Sequence, residues 1–545
     1  MFKGFSTVEL RQPQRSTFDL SEDKRLSVQM GYLYPVLFKE CIPSDSFDGK
    51  TEALVRLAPL LAPIYDQIQV YVHYFFVPYR LLWDEWETFI TGGQFGDDPD
   101  LGTAPPLPPQ VNIFEMMSFD PTVFQKSKIS DYLGVPLLDD LPNAPHTPDW
   151  TECYIDCIPY VACSKIWYDY FRDRNFVSDD IFDDHPLPLP SGNIPTLDVP
   201  TFIDEHVTLR PRAYRHDYFR SALPFSQRGA EVMIPSVINY LAPTMIRQSP
   251  PPGAVAADGG LATVSGELFG GTGQEMYVEN LESVGPLVND FRTAYALQVW
   301  LERNAIGGSR YTESIQAHFG VKPQDSRLQR AEYIGGGMMP IKISEQVSTA
   351  QALDIETETN IPQANLAGYG IAYGDQNSFK YFCPEHGCIV GMLSIINPPS
   401  YHQGLPRYFK RRHFLDYPFP TFAKLGEQEV FDFEVYAASQ TFANAPGGGE
   451  GPYSVFGYQS RYADWKSGRN TSHGDFHDTL LFWSLTSDFG IVPVLSASFV
   501  EFDPNIETRI FAAPTVDNFW VYLHNRVFVR RALPYFGTPN NLGFQ

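Results

Sequence analysis

The sequence predicts a mainly β fold, a β-sandwich interrupted by large insertions, and three observations predict it. Residues 67–77 alternate strictly, with Ile68, Val70, Val72, Tyr74 and Phe76 on one side and Gln67, Gln69, Tyr71, His73 and Phe75 on the other. A period of two is a strand with one face in a core. The predicted strands do not alternate regularly with helices, which argues against a doubly wound parallel sheet. The connections are very long: segments 93–150 and 176–212 are rich in Pro and Asp, and 247–285 holds Pro250-Pro251-Pro252-Gly253 and Gly270-Gly271-Thr272-Gly273. Connections of that length are functional or packed against partners.

Taken in order, the 67–77 strand stops at Pro78, which cannot donate to a ladder. Residues 80–91 then read as a helix, with Leu82, Trp83, Trp86, Phe89 and Ile90 on one face and Gly92-Gly93 as its left-handed cap. A helix is predicted at 160–172. A second, at 286–305, carries Val288, Phe291, Tyr295 and Leu297 along one stripe, and a shorter one runs from Thr312 to His318. Further strands are predicted at 389–396, 429–437 and 491–500. A closing hairpin pairs Phe519, Val521 and Leu523 with Val527 and Val529 around the polar turn His524-Asn525. Gly335-Gly336-Gly337 follows no clear strand and reads as a flexible turn.

Composition bounds the function. Aromatics are 14% of 545 residues, enough for a sizeable core, so the chain is not disordered. No apolar run is long enough to span a membrane, and Met1–Phe5 begins no secretory signal. The net charge of -24 disfavours bulk electrostatic binding of phosphate. That charge is uneven: residues 81–160 hold fourteen acids against Lys126 and Lys128, residues 405–425 carry a net +4, and from Asn518 onward there are three Arg and no acid. Segregation of this kind suggests two faces meeting different partners.

Few residues point to catalysis. There is no Gly-x-Ser-x-Gly elbow and no His-Glu-x-x-His pair. Gly49-Lys50-Thr51 resembles the end of a phosphate loop, but Ser44 stands where its first glycine belongs. Six Cys are too few for a disulfide framework. Cys153, Cys157 and Cys163 precede or enter an apolar helix and are expected to be buried. Cys383, His386 and Cys388 lack a nearby fourth zinc ligand, so neither a metal site nor a cofactor is expected. The run Asp179-Asp180-Ile181-Phe182-Asp183-Asp184 has no calcium-loop spacing and reads as a solvated acidic loop. Carboxylates from distant strands could still meet in a cleft, which leaves a secreted carbohydrate-binding or carbohydrate-cleaving β-sandwich as the alternative.

Basic patches interleaved with rings carry more information. Arg407, Lys410, Arg411 and Arg412 surround Tyr408 and Phe409; Arg461, Lys466 and Arg469 surround Tyr462 and Trp465; Arg526, Arg530 and Arg531 accompany Phe528 and Tyr535. Cations on phosphate with rings that stack on bases suit sequence-tolerant single-strand binding. Ion pairs to the acidic half of a neighbouring subunit are the competing reading.

Four ordered blocks resemble the major capsid proteins of the Microviridae, the gokushovirus branch in particular. They are Gly31-Tyr32-Leu33-Tyr34-Pro35 through Phe75-Phe76-Val77-Pro78-Tyr79-Arg80; Ile166-Trp167-Tyr168-Asp169-Tyr170-Phe171-Arg172-Asp173; Gly307-Gly308-Ser309-Arg310-Tyr311-Thr312-Glu313 through Arg330-Ala331-Glu332-Tyr333-Ile334-Gly335-Gly336; and Glu385-His386-Gly387 through Gly426-Glu427-Gln428. The resemblance implies an eight-stranded viral jelly roll spanning 1–545 as one domain, with residues 1–30 as an extended N-terminal arm. It implies sixty copies in a T=1 virion shell around circular single-stranded DNA, assembled in the host bacterial cytoplasm. It also implies a small basic DNA-binding protein and a DNA pilot protein as partners. A variable insertion at 235–285, including Pro250, Pro251, Gly270 and Gly271, would form a three-fold protrusion that meets a host cell-surface receptor. Beyond Arg469 the sequence diverges from the gokushovirus pattern. Sixty copies at -24 apiece carry -1440 charges, so enclosing DNA requires neutralisation by a basic partner, polyamines or metal ions.

Overall fold

The computed structural model describes residues 15–91, 106–137, 153–230, 288–307, 311–319, 324–347, 366–438, 453–502, 508–512 and 516–535, with residue 232 and short strand pieces at 237–238, 245–248, 276–279, 283–284, 352–353 and 360–361. The strands that build the frame are β1 (Ser16–Asp19), β2 (Glu22–Val28), β3 (Tyr34–Cys41), β4 (Ser46–Leu57), β5 (Gln69–Pro78), β6 (Glu332–Pro340), β7 (Lys342–Val347), β8 (Leu366–Phe382), β9 (Gly387–Ile396), β10 (Glu427–Phe431), β11 (Val455–Ser460) and β12 (Phe519–Arg531). Eight of them form one antiparallel sheet in the order β1-β12-β4-β8-β6-β5-β9-β3, with β2 added on β12 and β7 on β8.

The sheet curls so that its two halves face each other. Val70, Val72, Tyr74 and Phe76 of β5 and Ile389, Leu393 and Ile395 of β9 share one core with Ala53 and Val55 of β4 and Phe519, Val521 and Leu523 of β12. The Tyr74 and Phe379 rings meet across it at 4.5 Å. This is a jelly-roll-like sandwich with helical insertions, as the sequence and the resemblance predicted.

The two halves are stitched where β6 pairs with β8 at Gly335 and Phe379 and with β5 along its length. The three glycines are therefore not a turn but the middle of a strand. A Cβ at Gly335 would stand 2.5 Å from the Ser378 carbonyl oxygen, and one at Gly336 would stand 2.4 Å from that of Val72. The glycines allow a backbone approach that a side chain would block.

Strand β5 buries both faces, not one. Phe75 and Val77 point away from the sandwich into a second core, with Val390 and Met392 of β9. That core is closed by helix α1 (Ile158–Ile166), which continues into a single π turn over Trp167–Phe171. Each such buried side chain contributes about 1.5–3 kcal/mol. Cys157 and Cys163 are buried there, and Cys153 is half-buried. A third, smaller core gathers Tyr218, Phe219, Tyr401, Val430, Phe456 and Val500 under the β10–β11 pair.

Several sequence expectations are corrected. The 80–91 helix is broken into a 3-10 turn at Tyr79–Leu81 and a short helix α2 (Trp86–Thr91), because Leu189 donates to the Leu82 carbonyl and accepts from the Asp84 amide. The 429–437 strand ends at Phe431, whose amide donates to Glu434 Oε1 at the start of a helical turn. Residues 491–500 form no strand: Pro493 lacks a donor, and Ala497–Val500 are helical. The closing hairpin is one continuous strand, β12, in which Asn525 sits at an inward position.

Residues 16–28 of the predicted arm lie in the sheet as β1 and β2, paired with β12. Helix α3 (Val288–Gly307) forms as predicted, but Phe291, Tyr295 and Leu297 of its stripe are about half exposed. Helix α4 spans Tyr311–Phe319. Of the 235–285 insertion, Val237–Ile238 pairs with Ser283–Val284 and Met245–Gln248 pairs with Met276–Glu279, two nested antiparallel ladders. Pro250, Pro251, Gly270 and Gly271 lie outside the described residues, as does the Gly92-Gly93 cap. No described helix is long and apolar enough to cross a membrane.

Candidate nucleic-acid interface

Alternation along β12 that sends Phe519, Val521 and Leu523 inward sends Trp520 and Tyr522 outward, 51% and 36% exposed. Register extends that face across neighbouring strands. One row reads Ser27, Trp520, Arg56, Ile371 and Lys342; the next reads Arg25, Tyr522, Leu54 and Tyr373. Arg25, Arg56, Lys342 and Tyr373 are exposed, and the Arg25 guanidinium lies 5.7 Å from the centre of the Tyr522 ring. Five strands at about 4.8 Å spacing make the longer row roughly 19 Å across. Three cations, two tyrosines and a tryptophan thus share two rows that contain no carboxylate.

Arg25, Leu54, Arg56, Trp520 and Tyr522 line a shallow groove of about 450 Å³. The following row returns to mixed charge: Asp23 and Glu52 flank His524, whose ring nitrogen lies 2.6 Å from the Asp23 carboxylate. That contact holds the Asp23 carboxyl below its ordinary value. Flat ring faces beside guanidinium groups can take unpaired bases and phosphates together.

Of the sequence candidates, Arg526 and Arg530 join this same outward face, with Arg526 5.2 Å from the Phe528 ring centre. Arg531 turns the other way and pairs with the buried Asp45 at 2.7 Å. The first patch is tied into its own chain: Arg407 donates to the Glu429 carbonyl at 2.6 Å and lies 3.6 Å from Glu434, and Arg411 pairs with Asp464 over the Trp465 ring. Lys410 sits 5.3 Å from the Tyr453 ring centre, and Arg412 is exposed. Arg461 lies over the Tyr462 ring, Arg469 donates to the Glu434 carbonyl, and Lys466 lines an open depression with Arg215 and Asn470. The structure therefore gathers Arg526 and Arg530 with residues that sequence reading missed. The missed signal was the outward half of the alternation that located the 519–523 strand.

The remaining candidates hold the fold together. Cys383 lies in the sandwich core and Cys388 in the second core, so the two thiols diverge. Burial pushes the Cys388 thiol up. Asp179 is not merely solvated: Arg172 and Arg174 both donate to it, and the Arg174 hydrogen bond, with Arg172 behind it, holds its carboxyl down. Gly49-Lys50-Thr51 lies inside β4, with Lys50 paired to Asp375. A network absent from the sequence reading joins His185, Glu205 and His206. The Glu205 carboxylate lies 3.0 Å from His185 Nδ1, and His206 Nε2 lies 3.1 Å from the His185 carbonyl. Burial pushes His206 down to about 3.

Comparison with known proteins bears on all of this. The family described as capsid protein (F protein) matches residues 6–540. "Capsid protein VP1" of Chlamydia phage 1 is 30% identical, covering 99% of this chain and 98% of the relative. "Capsid protein VP1" of Bdellovibrio phage phiMH2K is 28% identical over 97% of each, and that of Spiroplasma virus 4 is 24% identical over 99% of this chain and 96% of the relative.

Proposed function

The chain belongs to the capsid F protein family of the Microviridae, as a virion capsid protein of a gokushovirus-like single-stranded DNA phage and not an enzyme, and from that premise we propose that the outward Arg/aromatic face of its sheet lines the genome. Sixty copies close into a T=1 shell, and the two rows around Trp520 meet unpaired bases. The observation that carries this is the placement of Trp520, Tyr522 and Tyr373 with Arg25, Arg56 and Lys342 on two adjacent exposed rows, which the Asp23 carboxylate of the next row meets only at the Tyr522 hydroxyl and beside Arg25. Stacking on such rings tolerates any sequence, as packaging a whole genome requires. Because the chain as a whole is strongly acidic, a small basic DNA-binding protein neutralises the remaining phosphate, and a pilot protein serves DNA delivery.

Ultraviolet irradiation of intact particles, followed by digestion and mass spectrometry, tests the assignment. The peptide containing Trp520 and Tyr522 is expected among those covalently joined to nucleotides. Its recovery free of nucleotide, with crosslinks elsewhere on the chain, would overturn the assignment.

The 235–285 insertion contacts the host surface. Support comes from the nested ladders at 237–248 and 276–284, which bring both ends of the intervening segment to one place. Shortening residues 247–280 is expected to leave particles intact and reduce attachment; loss of all particles would make the segment structural.

A further inference from the structure

Between Tyr408 and Leu425 the chain leaves Tyr408, Phe409, Phe414, Tyr417, Phe419 and Leu425 between 42% and 65% exposed. At about 150–250 Å² per aromatic side chain, that is roughly 500 Å² of exposed apolar surface carried by one short segment, with the Tyr408 and Phe409 rings 4.6 Å apart. That is the size of the largest apolar patch a monomer ordinarily exposes, and such patches are often functional. It is not a loose loop, because polar anchors set its shape. Arg407 and Arg411 hold one end through Glu429, Glu434 and Asp464, and the Asp416 carboxylate accepts from the amides of Arg412 and His413 at 2.8 Å each. With the backbone fixed by those bonds, the rings are held outward in advance of any partner.

The same chain carries a feature of opposite sign. Asp84, Glu85 and Glu87 are exposed beside Phe89 and Ile90, which are 40% and 46% exposed, on and just before α2. That knob is also rigid: the Trp86 ring packs 4.8 Å from Tyr79 and 5.8 Å from Trp83, and Trp83 Nε1 donates to Ser191 at 2.7 Å. The strip is apolar with exposed Arg412 and Lys424; the knob is apolar with three exposed acids.

We propose that the basic aromatic strip at 408–425 docks on the acidic knob at 84–90 of a second copy of this chain. Both features are exposed on one molecule, and none of the described contacts joins one to the other. A contact between two different patches is heterologous; repeating it builds a ring where the rotation closes, as a shell with three-fold and five-fold axes requires, and an open filament where it does not. Complementary charge fixes the register while the rings supply the buried area. The proposal rests on self-assembly of the chain and adds which surfaces meet.

Complementation tests it. One variant carries Arg412→Glu and Lys424→Glu, and a second carries Glu85→Lys and Glu87→Lys. Each alone is expected to lose at least tenfold in association by sedimentation, with unchanged circular dichroism. Mixed together, each variant's intact patch faces a complementary one on the other, and association is expected to return to within about threefold of wild type. Failure of the mixture to recover, or full association of either variant alone, overturns the pairing. Intact shells with less DNA in the Arg412/Lys424 variant would assign the strip to the genome and overturn it too. Closed particles are read on wild type, since two alternating variants cannot complete a three- or five-membered ring; wild type that associates through this contact without closing particles would contradict the sixty-copy shell alone, so the two readings fail separately.

Discussion

Replacing Arg56 by Gln should change how salt weakens the binding of single-stranded DNA more than it changes the protein. Arg56 is exposed at the centre of the outward strip, between Trp520 on β12 and Ile371 on β8, and makes no inward contribution to the core. The two rows hold three cations, Arg25, Arg56 and Lys342. Each phosphate neutralised on a single strand contributes about -0.7 to the slope of log K against log salt, so the strip predicts a slope of about -2. Arg56→Gln should bring it to about -1.4 and weaken all sequences alike. Trp520→Ala should behave differently: stacking is worth about 1–3 kcal/mol per base, so affinity falls about five- to 150-fold with the slope unchanged. The assay is fluorescence anisotropy of labelled oligothymidylate on capsid protein released from particles, across a salt series. An unchanged slope in Arg56→Gln, or full affinity in Trp520→Ala, refutes the reasoning.

Two other outcomes concern the frame that carries the strip. Asn525 accepts from the Thr51 hydroxyl at 2.7 Å and donates to the Val36 carbonyl at 3.1 Å, fully buried; Asn525→Ala removes both bonds, leaving Thr51 only its contact with the Tyr74 hydroxyl, and should cost about 2–4 kcal/mol in urea denaturation, whereas a cost below about 1 kcal/mol would contradict that role. Burial lowers His206 to about 3 and His73 to about 4, from an ordinary 6.5. Below pH 6.5 the unfolded chain therefore takes up protons that the folded chain refuses. The stability these groups leave intact above pH 6.5 is lost on acidification toward pH 4, at up to about 1.4 kcal/mol per pH unit for each imidazole. His206→Gln should flatten the wild-type slope between pH 6.5 and 5, and parallel curves would contradict the assignment.

Much of the frame was legible because long apolar runs bounded by chain-breaking residues mark strands, even where, as in β5 and β9, both faces are buried. Residues 67–77 and 389–396 declared their strands, and Pro78 ends β5 as expected. What misled was polarity inside the core. His524-Asn525 looked like a turn, but Asn525 is inward and satisfied by Thr51 and Val36, partners distant in sequence. The three glycines of β6 looked like a turn because sequence carries no trace of the β8 backbone pressing on Gly335 or the β5 backbone pressing on Gly336. The candidate interface was half legible. Arg526 and Arg530 were found from composition, while Arg25, Arg56 and Tyr373 come from strands paired only in three dimensions. Conversely, Arg407, Arg411 and Arg531 read as free cations in sequence, and their carboxylate partners appear only on folding.

A cryo-electron microscopy map of the DNA-filled particle tests the central claim most directly. The account predicts sixty copies with the β2-β12-β4-β8 face turned inward and layered density against Trp520 and Tyr522. A face turned to the outside, or sealed between subunits with no nucleotide density on it, would contradict the account.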